Sequence, residues 1–243
     1  MRILVIATLL SALFGLGSCK HKTQQDPPEH VAGSAGSAAG SAGAATSTAD
    51  VPLPAGPGTK PDKTTKPLDR NVLKKLSELE YPGFKRVVRS FEDTTLEVRH
   101  STESRPRIAV TVTISPCTTP CTPMQLEPWK ARTEELKSIM SKELRGRPDT
   151  QWEIGATELH GESMIFTYQL GQWFGVGEDG KQHGSFSNAY ILYYNDGVNQ
   201  IRVVSEYKDD PVATKEDLTK LVPRDDLDKV GHAFLDAYTH SWS

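Results

Sequence analysis

The sequence predicts an α+β domain, an antiparallel sheet with one helix inserted between hairpins and another at the C-terminus. Three observations predict it. In RIAVTVTI (107–114), Ile108, Val110, Val112 and Ile114 alternate with Ala109, Thr111 and Thr113, the two-residue period of a half-buried strand. Asn195-Asp196-Gly197 separates two apolar runs, a strong hairpin signal. Near the C-terminus Leu227, Val230, Phe234 and Tyr238 recur at helical spacing.

The elements follow in chain order. Asp69 is a suitable N-cap for a short helix over 70–80, with Leu73, Leu76 and Leu79 along one side, and Pro82-Gly83 ends it. Extended stretches are expected at Phe84–Phe91 and Thr94–His100, ahead of the alternating run. Pro128 opens a helix to about Arg145, whose stripe is Trp129, Leu136, Ile139, Met140 and Leu144, and Gly146 suits its end. Further strands are expected near Trp152–Leu159, Ser163–Phe174 and Ser187–Tyr194, the last turning into IRVVSEYK. AYILYY is apolar on both faces, which places it inside the sheet. Thr214 caps a short turn, and the final helix starts near Asp225.

The 28 Lys+Arg and 31 Asp+Glu of the 243 residues leave a formal net charge of -3. A nucleic-acid partner calls for a basic excess, so that class is excluded. Aromatic residues make up only 7% of the chain, and the shortfall sits in one N-terminal tract. The remainder, 68–243, reads as one domain with 22 basic and 27 acidic side chains.

Residues 1–18 form a leader: Arg2, an apolar run from Ile3 to Gly17, and then Leu16-Gly17-Ser18 before Cys19. The fifteen residues of the run fall short of the roughly 20 that span a bilayer, and the pattern is that of a secretory signal. Small residues directly before a cysteine resemble the lipobox of bacterial lipoproteins. The resemblance implies that Cys19 becomes the lipidated N-terminus, and Lys20 after it points to the outer membrane. Residues 20–67 contain no Phe, Trp or Tyr, and Ala32–Ala45 is an Ala/Gly/Ser repeat. The stretch 19–67 is therefore expected to be a disordered tether, because it offers too little apolar surface to offset chain entropy.

The order strands, helix, LHGESMIFTYQL, Tyr-rich strand 189–194 and terminal helix Leu227–Tyr238 is similar to the PsbP-like, Ran-binding-Mog-type sandwich. That resemblance implies packing as an α/β/α sandwich and an accessory or docking role without catalytic residues. No functional residue carries over from it.

The local feature richest in chemistry is Ser115-Pro116-Cys117-Thr118-Thr119-Pro120-Cys121-Thr122-Pro123-Met124. In an oxidising compartment Cys117 and Cys121 are expected to form a disulfide closing a small loop. The alternative is copper: a strand, C-x-x-x-C and a helix are similar to the metal loop of Sco-type copper chaperones, and two thiolates with Met124 suit Cu(I). His160, His183, His232 and His240 are the candidates for the distant histidine such a site needs. Thr122-Pro123 and the missing parallel strand-helix units depart from that family.

Gly175-Val176-Gly177-Glu178-Asp179-Gly180 matches G-x-G-x-x-G formally, but it carries two acids and precedes a strand, so it reads as a hairpin loop. Glu178, Asp179, Asp196, Asp209 and Asp210 have no EF-hand spacing. Neither H-E-x-x-H nor G-x-S-x-G occurs. Trp173-Phe174 is the one aromatic pair that suggests a docking surface. The expectation is thus a membrane-anchored envelope lipoprotein with a non-catalytic binding domain, needing no cofactor and meeting a protein or small-ligand partner.

Overall fold

The computed structural model describes residues 52–117, 131, 134–135, 138–139, 151–176 and 182–242. Cys19, the leader, Cys121, Met124 and the loop 177–181 lie outside the described residues. The described elements are α1 (Arg70–Ser77), β1 (Phe84–Phe91), β2 (Leu96–Thr102), β3 (Ile108–Pro116), β4 (Gln151–Leu159), β5 (Glu162–Val176), β6 (Gln182–Asn195), β7 (Asn199–Tyr207), α2 (Lys215–Leu221) and α3 (Arg224–His240). Residues 131, 134–135 and 138–139, within the expected inserted helix, are helical. Among the described residues no helix is long and apolar enough to cross a membrane.

All seven strands join one antiparallel sheet in the order β1-β2-β3-β7-β6-β5-β4. The mixed α+β class is as expected, and β6, which contains AYILYY, is an interior strand. Strand β7 returns to pair with β3 from Ile108–Tyr207 to Pro116–Asn199, so two meanders are joined at the middle of the sheet.

Local chemistry accounts for the ends of the elements. The Asp69 carboxylate accepts from the backbone N–H groups of Asn71 and Val72 at 2.9 and 3.1 Å. These bonds hold its pKa below the usual carboxylate value. Thr214 accepts from Asp217 N–H at 3.1 Å and caps α2. In the β6–β7 turn Gly197 takes φ +98, and Asp196 Oδ1 accepts from the N–H groups of Val198 and Asn199 at 2.9 and 2.8 Å. Such a turn needs a residue without a Cβ at that position.

One face of the sheet carries the main core. Val98, Val112, Val203 and Leu192 stand opposite one another in register and are fully buried. Leu227, Val230, Phe234 and Tyr238 of α3 pack into the same cluster with Leu73 and Leu76 of α1. Burial of these side chains, at about 25 cal/mol per Å² of apolar area, is what holds the layers together.

One expectation is corrected. The Pro-rich stretch 52–67, read as the end of a disordered tether, is a strap seated on the domain. Pro54, Pro61 and Leu68 are buried along it. Asn199, itself fully buried, donates through Nδ2 to Thr64 Oγ1 at 2.6 Å and to the Lys66 carbonyl at 3.1 Å. Its Oδ1 accepts from Leu68 N–H at 3.1 Å. Asp196 Oδ2 accepts from Thr64 N–H at 2.8 Å and from the Thr64 hydroxyl. Trp242 Nε1 donates to the Asp62 carbonyl at 3.3 Å, and Lys60 and Lys63 both pair with Glu162. The physical reason is that proline restricts the free chain, so seating such a segment loses less entropy than seating an ordinary coil.

Candidate functional site

The α1–β1 corner holds an open cavity of about 500 Å³, lined by Glu80, Tyr81, Pro82, Phe84, Lys85 and Arg86. Its position follows from strand register. Arg86 of β1 stands opposite His100 of β2, and that row continues through Val110, Ser205, Tyr190 and Tyr168 to Glu153. Directly opposed residues share a face, so a polar row crosses the core side and ends at the cavity. Phe84 packs edge-on against Phe234 of α3 at 5.0 Å, and Tyr81 does the same at 5.0 Å.

Behind the cavity, His100 Nε2 and the Tyr238 hydroxyl lie 2.8 Å apart. Burial, and then the nearby Arg86 charge, push the His100 pKa down to about 4, so the ring is neutral at pH 7. Burial raises the Tyr81 phenol to about 12, and raises Tyr238 further. Arg86 donates from Nη1 to the Ser77 carbonyl at the end of α1, and from Nη2 to Glu80 Oε1 at 3.4 Å. Tyr81 Oη, Arg86 Nε and His100 Nδ1 are buried without a hydrogen-bond partner among the described residues. The corner therefore offers donors and an aromatic wall, but no nucleophile paired with a base.

A second polar cluster lies under the strap. Asp236 Oδ1 receives His160 Nε2 at 3.1 Å and His240 Nδ1 at 3.0 Å, and Thr59 Oγ1 meets His240 Nε2 at 3.3 Å. A Cβ on Gly56 would lie 1.7 Å from Asp236 Oδ2, so only glycine lets the strap approach the carboxylate this closely. His160 at φ +47 and Gly161 at φ +83 make the tight β4–β5 turn that brings the imidazole here. This arrangement fastens the strap to α3.

A third cluster holds the start of α3. The Arg224 guanidinium lies over the rings of Phe166, Tyr168 and Tyr190, at 5.2, 5.7 and 5.4 Å, and bonds Glu153 Oε1 at 3.3 Å. Such cation–π contacts hold the helix onto β5 and β6.

The residues singled out from the sequence are dispersed. Cys117 directly follows β3, its N–H donating to the Val198 carbonyl at 2.8 Å; Cys121 and Met124 are outside the described residues. Of the four histidines, His160 and His240 meet at Asp236, while His232 pairs with Asp228 at 2.6 Å. Burial works to lower the His232 pKa, but the hydrogen bonds and charge of Asp228 outweigh it and raise it. His183 lies in β6 opposite Gly175 of β5. Trp173 and Phe174 belong to β5 by their backbone, opposite Ser185 and Gly184, and their side chains are outside the described residues. Asp196 anchors the strap, and Asp209 and Asp210 pair with Arg105. Among the described residues no group of three or more His, Cys, Asp or Glu side chains is placed to hold a metal ion.

Sequence reading passed over Tyr81, Arg86, His100 and Tyr238. The one signal available was His100, a polar residue at an inward position of the strand after Leu96 and Val98. No protein family, no curated protein and no solved structure matches this chain.

Proposed function

We propose that this chain is a lipid-anchored protein of the bacterial cell envelope, probed through its fold as a binding or accessory domain and not as a catalyst. Cys19 carries the lipid, residues 20–51 act as the spacer, and the strap joins that spacer to the domain. The observation that carries the reading is this division of labour. The spacer is low in apolar surface, whereas residues 59–68 are fastened by Asn199, Asp196, Glu162 and Trp242. Three acyl chains, at about 0.8 kcal/mol per buried methylene, make a stable anchor. Outer-membrane placement follows the Lys20 reading.

The α/β/α sandwich belongs to the same proposal. Opposite the α3 side, Ala109, Ile154, Ile165, Thr167 and Ile191 are also buried. Side chains buried on a sheet face need a covering layer, and the chain between β3 and β4 is the segment of suitable length and apolar stripe. In that setting Cys117 and Cys121 form the disulfide that fixes the start of the connection.

The experiment is metabolic labelling with a fatty-acid analogue followed by mass spectrometry of the mature N-terminus. Wild type incorporates label and starts at acylated Cys19, and Cys19→Ala incorporates none. An unmodified mature chain with a different N-terminus defeats the proposal. Cu(I) titration of the reduced chain separates the disulfide from the copper reading: affinity above that of Cys117→Ser supports copper.

A further inference from the structure

We propose that the free edge of β1 takes an extended acidic segment of a partner protein as an added strand, paired to the backbone of Arg86 and Val88 and held by the charges of Lys85 and Arg89. This rests on the reading of the domain as a binding module and names the surface and the chemistry of the partner.

Strand β1 is an end strand of the sheet, paired on one side with β2. Glu103 N–H donates to the Gly83 carbonyl at 3.1 Å, just ahead of the first residue pair. Antiparallel ladder bonds recur at every second pair, so Lys85 and Val87 turn their backbone groups to β2, and Arg86 and Val88 turn theirs outward. Phe84 fits this alternation, since its N–H donates to the Tyr81 carbonyl at 3.1 Å and not to β2. Outward N–H and C=O groups along an edge are a template for a further strand. The side chains of this edge are uncovered as well. Val87 and Val88 are 44% and 41% exposed, and among the described residues Leu53 is the only other exposed large hydrophobic side chain. The open cavity beside Pro82 and Phe84 leaves the start of the edge accessible. Pairing with β2 stays regular from Phe84 to Val88, and the bulge comes only at Arg89.

Charge decides which strand fits. Lys85 and Arg89 are exposed and make no ion pair among the described residues, and the same holds for the half-buried Arg99 opposite Val87. The acids of this region are engaged or lie at its ends. Glu80 bonds Arg86 at 3.4 Å, and Asp93, next to Glu92 in the β1–β2 turn, pairs with Arg70 at 2.6 Å. Glu97 stands opposite Ser90, beyond the bulge, and Glu103 lies before the first pair. A second copy is a poor occupant. Antiparallel pairing of two β1 strands about Val87 would set Lys85 of each against Arg89 of the other, and directly opposed like charges destabilise a sheet. The same register with acids opposite Lys85 and Arg89, and apolar residues opposite Val87 and Val88, turns both repulsions into attractions. The charges along β1 thus oppose self-pairing and favour an acidic strand.

The test titrates the purified full chain with the peptide acetyl-SEVVTES-amide, which sets glutamates opposite Lys85 and Arg89 in that register. Its controls are acetyl-SKVVTKS-amide and the acidic peptide N-methylated at threonine, the residue opposite Arg86. Fluorescence anisotropy of the labelled peptides gives affinity, and hydrogen exchange of the protein gives geometry. The acidic peptide is expected to bind with a dissociation constant of about 1 mM or tighter. The lysine peptide is expected to bind about tenfold more weakly or worse, and the N-methylated one about fivefold more weakly. On binding, the amides of Arg86 and Val88 are expected to exchange several-fold more slowly, while those of Lys85 and Val87, already in the ladder, stay unchanged. Lys85→Glu combined with Arg89→Glu is expected to reverse the preference between the acidic and lysine peptides. Val88→Pro removes an outward N–H and leaves the β1–β2 ladder intact, and is expected to lose about fivefold or more in affinity. Equal binding of the acidic and lysine peptides overturns the inference, as does unchanged affinity on N-methylation or new protection at Lys85 and Val87 in place of Arg86 and Val88. The charge-reversal variant decides the matter if Val88→Pro fails to fold. A wild-type chain that dimerises in sedimentation, and no longer does so in Val88→Pro, makes a second copy the occupant and overturns it too. Absence of peptide binding in a chain that still acylates Cys19 overturns the docking edge and leaves the anchored-protein reading standing.

Discussion

Asn199→Ala is the sharpest test of the strap. The Asn199 side chain is fully buried and makes three hydrogen bonds to the segment 64–68, at 2.6, 3.1 and 3.1 Å. Each such bond contributes about 0.5–1.5 kcal/mol net, and alanine leaves the Leu68 N–H and Lys66 carbonyl without their partner. The loss is therefore expected to be about 2–4 kcal/mol. For a domain of this size each kcal/mol moves the melting temperature by about 2–4 °C, so a drop of roughly 5–15 °C is expected. Two assays read it. Urea and thermal unfolding give the global loss, and hydrogen exchange at Leu68 with limited proteolysis at 52–67 gives the local one. The amide of Leu68 is expected to lose protection, and cleavage within the strap to become faster than in wild type. A variant that melts within about 1 °C of wild type and keeps its strap uncleaved would refute the reasoning, because the clamp would then contribute nothing measurable.

Other substitutions probe separate parts of the fold. Gly155→Ala places a Cβ 2.7–2.8 Å from the Phe166 ring, which is stacked on Tyr190 at 5.3 Å and covered by Arg224. A destabilisation of about 1–3 kcal/mol is expected from overpacking in urea unfolding, and a gain in stability would contradict the packing described. His100 makes stability pH-dependent. The unfolded chain protonates it near 6.5 and the folded chain only near 4, so the unfolded state holds more protons between these values. Stability should fall as pH drops from about 6.5 to 4, by up to about 3 kcal/mol. His100→Gln should lose less on acidification than wild type, and parallel pH curves would rule out this source. Cys117→Ser should lower stability by about 2 kcal/mol, the loop-closure value for a five-residue ring. Thiol labelling of the unfolded, unreduced wild type that finds both Cys117 and Cys121 free would remove the basis for that loss.

Much of the fold was legible because its signals are local. The Asp69 cap works through side-chain bonds to residues two and three positions on. Strand β1 runs from Phe84 to Phe91 as its composition indicates, and the Asp-Gly hairpin turns at Gly197 through its own φ +98. Helices α1 and α2 begin at Asp69 and Thr214, cap residues that short-range hydrogen bonding favours. The strap was not legible, because counting large apolar side chains ignored Pro54 and Pro61. Both are buried, and the strap's hydrogen-bond partners Asp196, Asn199 and Trp242 lie more than a hundred positions away along the chain, where local composition carries no trace of them.

The amino-acid sequence by itself determined the periodicity of the strands and helices, their caps and turns, and the sharp change in composition between residues 20–67 and the remainder, all read from patterns spanning a few residues. Only the tertiary structure decided that β7 lies between β3 and β6, that Arg86 faces His100 with Tyr81 and Tyr238 beside them, and that Asp236 gathers His160 and His240 beneath Gly56. The physical reason is that strand order and helix docking minimise exposed apolar area over the whole chain at once. Which polar groups meet inside is then a consequence of that global choice.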